Sequence, residues 1–320
     1  MEEKNAALMA QLEKLQAKYQ ATGQDIISYL EGLYYTDFLN YWDYVHTDTL
    51  LSLQIPRTSL PDEQIFIIYH QITELYFKLI LSEVNQIADK ADLTTEFMLE
   101  RVERINRYWE ILVQSFVVMV NGMETEQFMK FRMALLPASG FQSAQYRLIE
   151  IAATDFINLV TKDLRPTMKQ ASIEQMYEHI YWKEGATEIA TGQKTLTLVR
   201  FEEKYGAQFI AQGHAFLSKN LRKRYLSLPA DSEKMPALHQ ALREFDTFVN
   251  VKWPLAHLRS AGRYLQRNVD VLAATGGTNW QKYLPPRFQK RIFFPELWSE
   301  EDVENWGKAA VLDAYGMSEK

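Results

Sequence analysis

The chain has six histidines and no cysteine in 320 residues. A neutral imidazole is the commonest metal ligand, and histidine titrates nearest neutrality. Absent cysteine excludes a thiolate nucleophile, thiolate-bound zinc, an iron–sulfur cluster and a disulfide framework. None of the histidines forms an H-E-x-x-H or H-x-x-x-H pair, so a zinc helix is not expected. G-x-S-x-G, G-x-x-x-x-G-K and G-x-G-x-x-G are also absent, which removes the common hydrolase, P-loop and dinucleotide fingerprints.

Three residues stand in settings that could do chemistry. His70 lies in IFIIYHQITELYFKLILSE, where Phe66, His70, Thr73 and Phe77 share one helix face. It is either a hydrogen-bonded core histidine or the wall of a pocket. His257 comes one turn after Trp253 and three residues after Pro254. A neutral histidine on a helix can ligate haem iron axially, and it can equally be a satisfied buried side chain. Arg132, preceded by Phe128 and Phe131, could fork onto a carboxylate. Its alternative is a stem lying along apolar surface with a wet head. Ser139-Gly140 and Thr275-Gly276-Gly277 could approach a ligand through backbone N–H groups, or form an ordinary turn and helix cap.

Helices must position these residues. Thirteen glycines and ten prolines are about 7% of the chain, below the roughly 12% of an average protein, so turns are scarce and helices long. Leu8, Leu12, Leu15 and Tyr19 predict an amphipathic helix over 4–20, and an aromatic-rich helix follows over 25–46. Further helices are predicted from Pro61 to about Lys90, over 92–120, over 125–136 and over 141–156. A capping box of Ser172 and Gln175 opens a helix ending near Trp182. TLTLVRF reads as a short strand or a helix start, and residues 183–230 are the least defined. Residues 232–273 form one long helical pattern kinked at Pro254. Loops follow through Thr275-Gly-Gly and Pro285-Pro286, and Ser299 with Asp302 opens a last helix. The expected architecture is all-α: one helical-bundle domain over 1–320, with 1–46 as an N-terminal helical extension.

Composition sets outer bounds. Hydrophobic residues are 47%, enough for a sizeable core, and aromatics at 13% call for a thick core, an interface or a pocket for a flat ligand. A net charge of −6 disfavours nucleic acid as a partner. No apolar run approaches the length of a membrane span, and the first residues carry no apolar signal core. A cytoplasmic protein is the expectation.

Read in order, the motifs resemble the tryptophan 2,3-dioxygenase family. Phe66-Ile-Ile-Tyr-His70-Gln71, then Glu74-Leu75 and Lys78, resembles its distal-pocket helix. Phe131-Arg132, Ser139-Gly-Phe-Gln-Ser143 and Gln145-Tyr-Arg147 resemble its longest signature. Trp253, His257 and Arg259 look like the proximal helix. Thr275-Gly276-Gly277 is similar to its substrate loop, and Phe293-Phe-Pro-Glu-Leu297 to its closing segment. Tyr41, Tyr44, Asp48, Leu50 and Leu51 fit the N-terminal stretch. Matching blocks span about Tyr41 to Leu297; the first forty residues and 157–240 match poorly.

The resemblance implies haem b, ferrous for activity, with His257 as proximal iron ligand and Trp253, Ser139 and Gly140 lining the haem. It implies L-tryptophan, or a close indole analogue, and O2 as reactants. Arg132 would hold the substrate carboxylate and Thr275 its ammonium and carboxylate end. His70, the catalytic candidate, would accept the indole N–H, and Phe66 would pack on the ring. It implies a homotetramer in which Tyr41 and Tyr44 of a neighbour line the pocket. Three places depart from the pattern: Phe128, at the substrate site, replaces a frequent tyrosine, Tyr76 a usual tryptophan, and Thr278-Asn279-Trp280 a small-residue run. These departures leave room for a relative that oxidises a modified tryptophan or indole. A non-catalytic haem- or indole-binding protein is the other alternative.

Overall fold

The computed structural model describes residues 2–36, 40–135, 140–187, 193–265 and 286–308. Among them there are helices and turns but no strand, so the fold is all-α as expected. Two units are separable, Met1–Gln54 and Ile55–Lys320.

The first unit holds α1 (Glu2–Gln20), α2 (Ile26–Tyr35), α3 (Tyr41–Val45) and α4 (Thr47–Leu51). The Asp25 carboxylate starts α2 by accepting from the Ile27 and Ser28 N–H groups, and Tyr19 stacks on Tyr29 at 4.5 Å. The single helix expected over 25–46 is instead divided. α2 ends at Thr36, whose backbone turns extended, and α3 starts at Tyr41; His46, the expected end, takes a left-handed conformation with φ of 54°, which stops α3 there. None of α2, α3 and α4 contributes a buried residue.

The second unit is built on α5 (Asp62–Asp89), α6 (Thr95–Ser115) and α9 (Ala144–Ala153), with α14 (Met235–Thr247) packed on α6. Asp62 and Glu63 place negative charge at the start of α5. Met98, Val102, Ile105, Trp109 and Leu112 recur at spacings of four and three, and all are buried. They face Ile80, Val84 and Ile87 of α5 and Leu238, Leu242 and Phe245 of α14 within one core. Each such side chain contributes about 1.5–3 kcal/mol by leaving water.

Several boundaries differ from the sequence expectation, each for a local reason. Helix 92–120 starts later, because Thr94 caps it, and breaks at Phe116 before α7 (Val117–Asn121). Helix 125–136 is the shorter α8 (Thr125–Phe131). The capping box of Ser172 and Gln175 is present, but α10 (Ile173–Glu178) stops at His179 and α11 (Tyr181–Gly185) restarts the chain. TLTLVRF is helical: Thr195 caps α12 (Leu196–Ala215), and α13 (Leu221–Leu226) follows with Asn220 as its cap. The kink at Pro254 is a π-helical turn, Phe248–Lys252, joining α14 to α15 (Trp253–Leu265). Proline has no N–H to bond the carbonyl four residues back, so the helix widens ahead of it. No described helix is long and apolar enough to cross a membrane.

Candidate active site

His70 sits two turns into α5, and His257 one turn into α15. In both, Nδ1 lies against the carbonyl oxygen one turn back: Phe66 at 2.7 Å and Trp253 at 3.0 Å. A carbonyl oxygen only accepts, so Nδ1–H is the donor and the neutral ring carries its lone pair on Nε2. Burial pushes both proton affinities down, to about 4 for His257. For His257, the bond to Trp253 opposes that shift, while His70 and Arg147 add to it. Both rings are therefore neutral at pH 7 with Nε2 ready to accept or to ligate.

Aromatic rings join the two histidines. Phe66 lies 4.2 Å from His70. Tyr69 meets His70 at 5.8 Å and Phe116 at 5.7 Å. Phe116 then meets His257 at 4.6 Å, and Trp253 packs on His257 at 4.7 Å. A second branch runs from Phe66 to Phe131 at 5.9 Å, to Phe128 at 5.4 Å and to Tyr264 at 4.5 Å. The Tyr264 hydroxyl donates toward the Val120 and Met123 carbonyls at 3.2 and 3.4 Å. Two helices thus present neutral imidazoles to one apolar wall, where hydrogen bonds and charges act more strongly than in water.

Arg132 follows Phe131 at the end of α8, its backbone N–H bonded to the Phe128 carbonyl at 2.9 Å. It is only 4% exposed, and burial lowers its proton affinity. The wet-head alternative is therefore not what the chain adopts. A guanidinium keeps its charge in proteins, so the aromatic branch ends beside a buried cation suited to a carboxylate.

A buried polar knot fixes the surroundings. Arg147 Nε donates to the Phe141 carbonyl at 3.2 Å, tying the 3-10 turn Gly140–Gln142 to α9. Arg147 Nη1 donates to Glu150 and to the Tyr181 hydroxyl, each at 2.7 Å. The Tyr181 hydroxyl donates to Glu150 at 2.5 Å. Arg291 bonds the same carboxylate and hydroxyl, which anchors the segment after residue 286. Behind His70, Gln145 Nε2 donates to the Glu74 carbonyl at 2.8 Å and its carboxylate at 2.9 Å, locking α9 to α5. Asp246 on α14 accepts from Phe293 N, Phe294 N, Trp298 Nε1 and Asn250 Nδ2. Burial pushes this carboxyl up to about 6 even so.

The structure thus gathers Phe66, His70, Phe128, Arg132, Trp253 and His257 in the second unit. Gly140 opens the 3-10 turn that Arg147 holds. Ser139 and Thr275 lie outside the described residues, as does 276–280. Tyr41 and Tyr44 belong to the first unit, 71% and 75% exposed. Sequence reasoning missed Phe116, Tyr264, Glu150 and Arg291 as parts of this surrounding. Phe116 sat unremarked in SFVVMV, and the partners of Glu150 and Arg291 are too distant along the chain for any local pattern.

Comparison with known proteins adds independent findings. The sequence model of the tryptophan 2,3-dioxygenase family matches residues 34–156. A tryptophan 2,3-dioxygenase of Ruegeria pomeroyi is 30% identical over 281 residues, 82% of this chain and 92% of that protein. One from another Ruegeria species is 28% identical over 268 residues, covering 83% and 92%. One from Bacillus thuringiensis subsp. konkukian is 29% identical over 282 residues, covering 83% and 94%.

Proposed function

The chain belongs to the tryptophan 2,3-dioxygenase family, and on that premise we propose that it is a haem-dependent dioxygenase adding both atoms of O2 across indole C2–C3 of L-tryptophan. The product would be N-formyl-L-kynurenine, the first product of tryptophan breakdown along the kynurenine route. The observation that carries this reading is the pair of neutral imidazoles, His70 and His257, on one aromatic wall with Arg132 buried beside it.

The residues fit a haem. His257 is neutral, its Nδ1–H is committed to Trp253 O, and its Nε2 carries the lone pair with which it would hold the haem iron. Phe116 and Trp253 supply apolar surface around it. Bound ferrous haem b would supply the O2 chemistry that side chains lack.

The chain's own residues bind and orient the substrate. Arg132 pairs with the substrate carboxylate through a charge-assisted, bidentate contact. Thr275 would hold the ammonium end, and Ser139 and Gly140 would line the haem. His70 Nε2 accepts the indole N–H, which the Nδ1–H···O=C Phe66 bond leaves it free to do in tautomer terms. Phe66 packs on the indole, and the wall keeps water from the reacting face. In this reading His70 positions the ring and is not an obligatory base. The enzyme would be a cytoplasmic homotetramer, with residues 1–46 packed on a neighbour whose pocket Tyr41 and Tyr44 complete.

Product mass tests the chemistry: L-tryptophan should gain two oxygen atoms, and absence of L-tryptophan turnover overturns the reading. Arg132→Ala should mainly raise KM, by roughly tenfold to a hundredfold for one charge-assisted contact. Deleting residues 1–45 should reduce both assembly and activity, measured by light scattering and turnover; a fully active monomer contradicts the shared pocket. A second reading, oxidation of a modified tryptophan or indole, draws support from Phe128. Its ring packs on Tyr264 and offers no hydroxyl beside Arg132. The same mass measurement across indole substrates separates the two.

A further inference from the structure

A cavity of about 360 Å³ opens where the C-terminal end of α9 meets the 3-10 turn Phe156–Leu159, α10 and the end of α12. It shares no lining residue with the wall of His70, Arg132 and His257. Its size falls at the lower end of small-molecule pockets, about 300–1,000 Å³.

The floor is apolar: Ile151, Phe156, Met176 and Phe216 line it and are buried. Gly213 sets its depth. A Cβ there would come within 2.7 Å of Ile173 and 3.0 Å of the Phe156 ring, so only bare backbone lets that ring lie down on α12.

The rim is charged, and its charges are not equivalent. Asp155 is already engaged: its carboxylate accepts from Arg222 at 2.5 Å, Asn220 at 3.0 Å and Lys223 at 3.2 Å. Lys169 is exposed and forms no ion pair with any described residue. An incoming anion therefore meets an uncommitted ammonium over an aromatic floor. An incoming ammonium meets two lysines, Lys169 and Lys223, against one carboxylate that Arg222, Asn220 and Lys223 already share, and is repelled.

We propose that this cavity is a second ligand site, which takes a small monocarboxylate with an aromatic body and no α-ammonium group. Lys169 holds the carboxylate, and Phe156 and Phe216 pack against the rings. Two lysines facing one engaged carboxylate make the site select against amino acids, the opposite of what Arg132 serves.

The full-length, haem-loaded protein is titrated calorimetrically with 2-naphthoate, and with 2-naphthylalanine as the zwitterionic control. Saturable binding of 2-naphthoate is expected, with 2-naphthylalanine at least about tenfold weaker. Lys169→Glu should weaken 2-naphthoate by about tenfold or more, with basal turnover unchanged. Ala171→Trp, which fills the cavity, should abolish binding. Four outcomes overturn the proposal: no saturable binding, equal affinity for the two ligands, affinity unaffected in both variants, or binding lost in Arg132→Ala, which would place the ligand in the active site.

Discussion

At His70, a carboxylate lies one helical turn onward, where Gln145 holds Glu74 in place. At His257, the charges that act on the ring are His70 and Arg147, and both push its proton off. The backbone device is otherwise shared: each ring donates Nδ1–H to the carbonyl four residues back. Burial lowers both proton affinities, but Glu74 restores part of it at His70, and no carboxylate does so at His257. The difference teaches how one helix motif serves two tasks. A ring that must ligate is best kept neutral at every working pH. A ring that must accept from a neutral N–H needs a lone pair but gains from a more basic nitrogen.

The strongest way to break this comparison is to remove each imidazole. His257→Ala should abolish the haem Soret band at normal stoichiometry, because on the proposed assignment it deletes the iron ligand. His70→Ala should keep the Soret band and lose about twofold to twelvefold in kcat/KM, the worth of one hydrogen bond of about 0.5–1.5 kcal/mol. Full haem content in the His257 variant would refute the division of roles.

A smaller effect sharpens it. Glu74→Gln keeps the bond to Gln145 possible and removes the charge. NMR titration should show His70 protonating at lower pH than in the wild type, with His257 little changed. Turnover at pH 7 should fall by less than in His70→Ala, because a less basic Nε2 accepts the indole N–H more weakly. An unmoved His70 titration would mean that Glu74 is purely a tether.

The smallest change concerns stability near His257, on the same continuous helical run. Asp246 is raised to about 6 from 3.8, so the folded state binds this proton more tightly than the unfolded one. Its contribution is full below about 3.8 and is lost as pH rises through about 6. Denaturation midpoints of wild type should fall over that window, and those of Asp246→Asn should not, although the variant is less stable throughout for want of its acceptors.

Legibility in the sequence followed range. The helices of the core were readable because Met98 to Leu112 and Ile80 to Ile87 repeat within a few residues. The break after Tyr35 was not, since the extended backbone at Thr36 leaves no periodic trace, whereas the end at His46 agrees with the expected boundary. Phe66 and His70 were readable as one face, and the position of His257 came through resemblance. The burial of Arg132 was open, because a wet head and a buried one have the same sequence signature. The Arg147, Glu150, Tyr181 and Arg291 knot was illegible: its members come from α9, α11 and the segment after 286, joined only by folding.

The π-helical turn at Phe248–Lys252 carries one residue more than the α-helix it interrupts. Each residue advances an α-helix by about 100°. The wide turn absorbs that residue, so losing one codon within 248–252 would restore a regular helix and leave His257 on nearly the same face, whereas losing one codon between Trp253 and His257 would swing the imidazole by about 100°, away from Phe116. The spacing from Trp253 to His257 is therefore a hereditary constraint as strict as the identity of the histidine, while the π turn ahead of it is where the helix can lose a residue without turning that ring away.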